Sequence, residues 1–103
     1  MENTKNEYPE NWKEIATRIK EKAGWKCERC GHKHEVETGY VLTVHHLVPE
    51  KSLCEDWNLA ALCQRCHLKM QHIDMFQGLL DFYEFSDWFK PHLEGFLNWL
   101  SNG

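Results

Sequence analysis

Apolar residues between positions 12 and 23 recur at helical spacing, with Trp12, Ile15, Ala16, Ile19 and Ala23 on one stripe and Lys13, Lys20 and Lys22 off it. The pattern predicts a helix. Pro9 suits its first turn or the turn just before it, and Gly24 closes it as a C′ residue. Tyr40-Val41-Leu42-Thr43-Val44-His45 has the β-branched and aromatic content of a strand, and Pro49 bars its simple continuation. After a loop over 49–57, Asn58 to Leu62 reads as a second short strand. From Cys63 to about Phe76 the chain predicts a knuckle and a helix, with Leu68, Ile73 and Phe76 as its buried side. An aromatic run follows through Phe82, Tyr83, Phe85, Trp88 and Phe89. Pro91 then opens a last helix in which Leu93, Phe96, Leu97 and Leu100 fall at i, i+3, i+4 and i+7. That stripe is core, or else a surface for a protein partner or for self-association. Residues 1 to about 8 read as a frayed leader.

Composition narrows the class. At 103 residues the chain has the length of one domain, taken as 1–103 with a core over about 24–76 and a helical extension over about 77–103. Its core is modest, so a structural metal would help it. No apolar run approaches the ~18 residues that span a membrane, and the polar start lacks the apolar segment of a secretory signal. A cytoplasmic protein is expected. The formal net charge of −4 argues against a generic nucleic-acid coat. Its distribution is uneven: Lys13, Arg18, Lys20, Lys22, Lys26, Arg29 and Lys33 crowd the first third. Asp74, Asp81, Glu84, Asp87 and Glu94 load the last. A polyanion would be met by the N-terminal half.

Five cysteines complete the picture, four of them in two Cys-x-x-Cys pairs, Cys27/Cys30 and Cys63/Cys66. In a reducing compartment, paired spacing of this kind points to metal rather than disulfides. Four thiolates make a closed tetrahedral site, which is how structural zinc is held. A single pair could be a redox dithiol; two pairs argue against it. Cys54 is left over, with no role assigned. Between the pairs lie His45, His46 and Asn58, and just after them His67. Neutral imidazole is a good ligand for a borderline metal and a good general base. Adjacent residues on a strand face opposite ways, so one of His45 and His46 can bind metal while the other points elsewhere. The set carries the reading, since any one of these histidines alone is as well explained structurally.

The stretch VHHLVP followed by WNLAALCQRCH resembles the HNH endonuclease family over roughly Gly24 to His72. The resemblance implies an α+β protein with a ββα-metal core, a four-cysteine zinc scaffold and flanking N- and C-terminal helices. It implies a metal-dependent DNA endonuclease that leaves 5′-phosphate and 3′-hydroxyl ends. By position, His45 resembles the first metal ligand and His46 the general base. Asn58 resembles the middle asparagine, which orients the base or helps bind metal, and His67 the closing ligand. The catalytic ion would be Mg²⁺, Mn²⁺ or Zn²⁺. A histidine base must be neutral, so activity is expected to fall below about pH 6.5. Some members place another histidine four residues after the closing one. Here that position is Gln71, and His72, one residue later, is rotated by about 140° from His67 around a helix. DNA contacts are expected from Lys26, Arg29, Lys33, Lys51, Arg65 and Lys69. Stand-alone proteins of this size are common in phage genomes, again by resemblance. The alternative is a non-catalytic zinc module that binds nucleic acid or protein.

Overall fold

The computed structural model describes residues 8–48, 50–70 and 87–102. Helix α1 spans Trp12–Lys22 and packs the predicted stripe inward, with Ile19 buried and Trp12, Ile15 and Ala23 partly so. It ends as expected. Gly24 adopts φ 68°, its N–H bonds the Glu21 carbonyl at 2.9 Å, and the Trp25 N–H reaches back to the Lys20 carbonyl at 2.9 Å. These paired bonds satisfy carbonyls that a helix end would otherwise leave free. Directly after this turn, Cys27 to Cys30 forms the first knuckle.

Two antiparallel strands make the sheet: β1, Leu42–His46, and β2, Leu59–Cys63. Both lie one or two residues later than the periodicity predicts. Tyr40 pairs instead with Glu35 across the turn Val36–Thr38. Asn58 closes a 3₁₀ turn over Asp56–Asn58. Every residue of β2 is buried: β1 covers one edge, the first knuckle covers the other, and α1 and α2 pack against the strand. On that second edge the Glu28 N–H donates to the Ala61 carbonyl and the Ala61 N–H donates to a Glu28 carboxylate oxygen, both at 2.8 Å. An edge strand of a two-stranded sheet is thus closed by one residue.

Helix α2, Gln64–Met70, starts without a linker after β2. Cys66 and Met70 form its buried side. Leu68, expected inside, is 50% exposed, since it lies two residues from each and so on the opposite face. Helix α3, Lys90–Asn102, also turns differently from expectation. Leu97 and Leu100 face solvent, while the expected Leu93 and Phe96 are half-buried; His92 and Gly95 share their inner side, and the rings of Phe96 and the more exposed Trp99 lie against Trp57. Phe89, just before the helix, is fully buried. Buried polar bonds override the leucine stripe: His92 Nδ1 lies 2.7 Å from the Trp57 carbonyl and Nε2 lies 2.7 Å from Glu28 Oε1.

Pro49, Gln71, His72, Ile73, Phe76, Phe82, Tyr83 and Phe85 lie outside the described residues. No helix among the described residues is long and apolar enough to cross a membrane.

A Cβ at Gly95 would overlap the Trp57 side chain. Alanine at an open helix position stabilises by about 1 kcal/mol over glycine, whereas overpacking costs ~1–3 kcal/mol. Gly95→Ala is therefore expected to lower the urea midpoint. A raised midpoint would show that α3 does not seat on Trp57.

Candidate functional site

The four knuckle cysteines converge. The sulfurs of Cys27, Cys30, Cys63 and Cys66 all lie within 4.8 Å of one another, close enough to hold a metal ion. Their local geometry repeats: the Cys30 N–H donates to Cys27 Sγ at 3.4 Å, and the Cys66 N–H donates to Cys63 Sγ at 3.4 Å. Each Cys-x-x-Cys turn thus aims a backbone donor at its own first sulfur. Arg29 Nη1 adds a contact to Cys66 Sγ at 3.5 Å. Without a cation at the centre, the four thiols do not all ionise. Burial pushes Cys66 up to about 12, and burial also raises Cys30. Burial opposes ionisation of Cys27 too, but backbone donors led by the Cys30 N–H bring it to about 7. Four thiolates this close cannot share charge unaided.

One residue past Cys66, α2 presents His67. The His45 ring meets it edge-on, with centroids 5.0 Å apart. His46, the next residue of β1, faces the other side and packs against α1, its ring 5.1 Å from that of Trp12. Strand alternation does this sorting. His46 Nε2 lies 3.1 Å from the Lys51 carbonyl. A carbonyl can only accept, so Nε2 carries the proton and the neutral ring keeps its lone pair at Nδ1. Cys54 lies beside it, with Sγ 3.9 Å from His46 Nε2 and donating to the same Lys51 carbonyl at 3.3 Å. Burial, reinforced by the neighbouring His67 and His46, pulls His45 down to about 4. Burial likewise lowers His67, and lowers His46 against the opposing pull of the Lys51 carbonyl. All three imidazoles stay neutral at neutral pH.

Asn58 is fully buried and does not point into this group. Its Oδ1 accepts from the Val48 N–H at 2.6 Å, and its Nδ2 donates to the Val48 and Leu53 carbonyls at 3.2 and 2.8 Å. It braces the loop between β1 and β2, the same loop that supplies the Lys51 carbonyl. Both amide atoms are committed there. Among the described residues, no third histidine, cysteine or carboxylate joins His45 and His67.

The six basic residues expected at DNA are scattered around the core. Arg65 donates to the Thr38 carbonyl at 3.1 Å and lies 4.8 Å over the Tyr40 ring, while Arg29 bonds Cys66. Lys51 sits 4.9 Å over Tyr8, and Lys69 is exposed on α2. Lys26 and Lys33 face each other across an antiparallel bridge flanked by the bonds Cys27 N to His32 O and His34 N to Trp25 O. That is the closer, non-hydrogen-bonded type of pair, where like charges repel. Sequence reasoning missed Glu28 and His92, which join the first knuckle, β2 and α3. A carboxylate inside a Cys-x-x-Cys spacer was the available signal.

Residues 27–72 match the family model described as HNH endonuclease. Just under half of the chain is thus similar to HNH endonucleases. The matched stretch runs from the first knuckle cysteine to just past α2, so it includes both cysteine pairs, both strands and the paired histidines. A relative, Zorya protein ZorE of Escherichia coli, is 39% identical over 66 residues, which are 64% of this chain and 18% of that protein. The chain thus spans less than a fifth of the relative's length. No solved structure matches it. Helices α1 and α3 stand outside the matched stretch.

Cys66→Ser should release one equivalent of metal per chain and abolish cooperative unfolding. A four-thiolate zinc site is worth ~10–16 kcal/mol apparent, against a domain stability of ~5–15 kcal/mol. Elemental analysis beside a thermal melt checks this. Unchanged metal content with an unchanged melt would remove the cluster as a metal centre.

Proposed function

We propose that the protein is a metal-dependent DNA endonuclease that hydrolyses phosphodiester bonds to 5′-phosphate and 3′-hydroxyl ends, with structural zinc in the four-cysteine cluster. The zinc assignment is supported by ligand type and spacing. Cys30 and Cys63 sulfurs stand 3.8 Å apart, and ~2.3 Å Zn–S bonds at tetrahedral angles give an edge of about 3.8 Å.

One observation carries the nuclease reading. β1 places His45 opposite His67 on one face and His46, pinned through Nε2, on the other. His45 and His67 hold the catalytic ion, Mg²⁺, Mn²⁺ or Zn²⁺, through lone pairs that burial keeps free of protons. When bound, such an ion supplies Lewis-acid stabilisation of charge on the phosphate and the leaving oxygen. His46 accepts the proton of the attacking water at Nδ1, while its Nε2–H stays on the Lys51 carbonyl and fixes the tautomer. Asn58 serves this base indirectly, by bracing the loop that holds Lys51 in place. Lys26, Lys33, Lys51 and Lys69 meet the DNA backbone, and the repulsion between Lys26 and Lys33 is relieved by a phosphate between them. Arg29 and Arg65 first serve the cluster and the Val36–Thr38 turn.

A second reading, a non-catalytic zinc module that binds nucleic acid or protein, is favoured by the two-histidine set at His45 and His67. Supercoiled plasmid with Mg²⁺ or Mn²⁺ decides between them. Nicking by the wild type, reduced ~10²–10⁴-fold in His46→Ala, is the expected outcome. Failure of the folded, zinc-loaded protein to nick with either divalent ion would leave only the binding module.

The pH profile checks the base separately. The neutral imidazole is the active form, and burial holds its folded pKa below the ordinary 6.5. The acid limb of the rate is therefore expected to be centred below pH 6.5, a later fall than the residue type alone suggests. An acid limb centred above pH 6.5 in kcat/KM would take the base role away from His46.

A further inference from the structure

Helix α1 lies outside the stretch that matches the HNH family, yet it reaches the proposed base. Trp12 stacks on His46 with centroids 5.1 Å apart and ring planes 26° from parallel. Tyr8 stacks on Trp12 at 4.8 Å and 26°, and its own ring stands 5.9 Å from His46. The three rings therefore form a closed triangle rather than a column. Lys51, whose carbonyl holds His46 Nε2, also lays its ammonium 4.9 Å over the Tyr8 ring. The same two groups, the leading end of α1 and the loop at Lys51, thus grip the imidazole from its face and from its edge.

A single hydrogen bond at Nε2 leaves an imidazole free to swing about that bond. A flat ring packed on one face removes that freedom. An apolar helix stripe would be satisfied by any aliphatic side chain at position 12, as it is at Ile15 and Ile19. Only a planar residue can hold a second plane within 26° of itself. We infer that Trp12, backed by Tyr8, is a positioning residue for His46: it fixes the plane of the imidazole so that Nδ1 faces the attacking water. The inference rests on the nuclease reading proposed above. It extends the active site to a helix that the HNH match does not include.

The test is plasmid nicking by the full-length, zinc-loaded protein with Mn²⁺, comparing wild type, Trp12→Leu, Trp12→Phe, His46→Ala and the Trp12→Leu/His46→Ala double variant. Leucine keeps apolar burial and removes the plane; phenylalanine keeps the plane. Misplacing a reacting group by about 1 Å costs roughly 100-fold. Trp12→Leu should accordingly lower kcat about 10- to 100-fold with KM unchanged, and Trp12→Phe should restore most of it. The double variant should be no slower than His46→Ala, because a residue that acts only through the base has nothing left to position. Melting curves accompany each variant. Full activity in Trp12→Leu would overturn the proposal, and so would a loss in Trp12→Leu that phenylalanine does not restore. Equal further loss on the His46→Ala background would overturn it as well. If the wild type nicks no faster than His46→Ala, the base assignment itself falls and the positioning role with it. The two failures are thereby told apart.

Discussion

Convergence of four thiols is the constraint on which the rest of the molecule depends. Cys63 is the last residue of β2 and Cys66 lies in the first turn of α2, so a metal held by both sets the angle at which the helix leaves the sheet. Cys27 and Cys30 bring the end of α1 and the first knuckle to the same point. The next residue along α2, His67, is carried by that angle to face His45. A short helix of this length has no stability of its own in water. The cluster supplies what a small core cannot.

Around the cluster, buried polar bonds rather than apolar contact decide where the outer parts sit. Glu28 closes the free edge of β2 with one carboxylate oxygen and holds His92 with the other, and His92 in turn reaches the Trp57 carbonyl. Asn58 does the same for the long loop, with three bonds from one amide. Among the described residues no buried side-chain polar atom is left without a partner. Such networks are costly when broken, since each orphaned group carries a desolvation penalty of ~1–3 kcal/mol. They therefore specify one seating for α3 and one path for the loop, where apolar faces alone would tolerate several.

Burial is also the means by which the histidines are prepared. Removing His45, His46 and His67 from water disfavours their charged forms, so no nearby carboxylate or added base is needed to keep lone pairs available. The Lys51 carbonyl then chooses which nitrogen of His46 keeps its proton.

How much of this could be read beforehand depended on whether the signal was local. The paired Cys-x-x-Cys spacing, the helix closed by Gly24 and the opposite facing of His45 and His46 follow from chemistry within a few residues. Each was legible in the chain and each is where it was expected. Periodicity misjudged α2 and α3, because it counts apolar residues and cannot see which face a distant bond will claim. Leu68, Leu97 and Leu100 lost the inside to Met70, His92 and Gly95 for that reason. Trp12 looked like one more core residue until β1 brought His46 beneath it. The residues alone determined the two cysteine pairs, the histidines set among them and the HNH-like order in which they come. Only the tertiary structure decided that Asn58 braces a loop, that Glu28 and His92 tie three elements together, and that α1 lies on His46. The roles of Glu28, His92 and α1 arise from contacts between residues more than 30 positions apart, and that of Asn58 from how the loop before it folds back, so no local pattern encodes them.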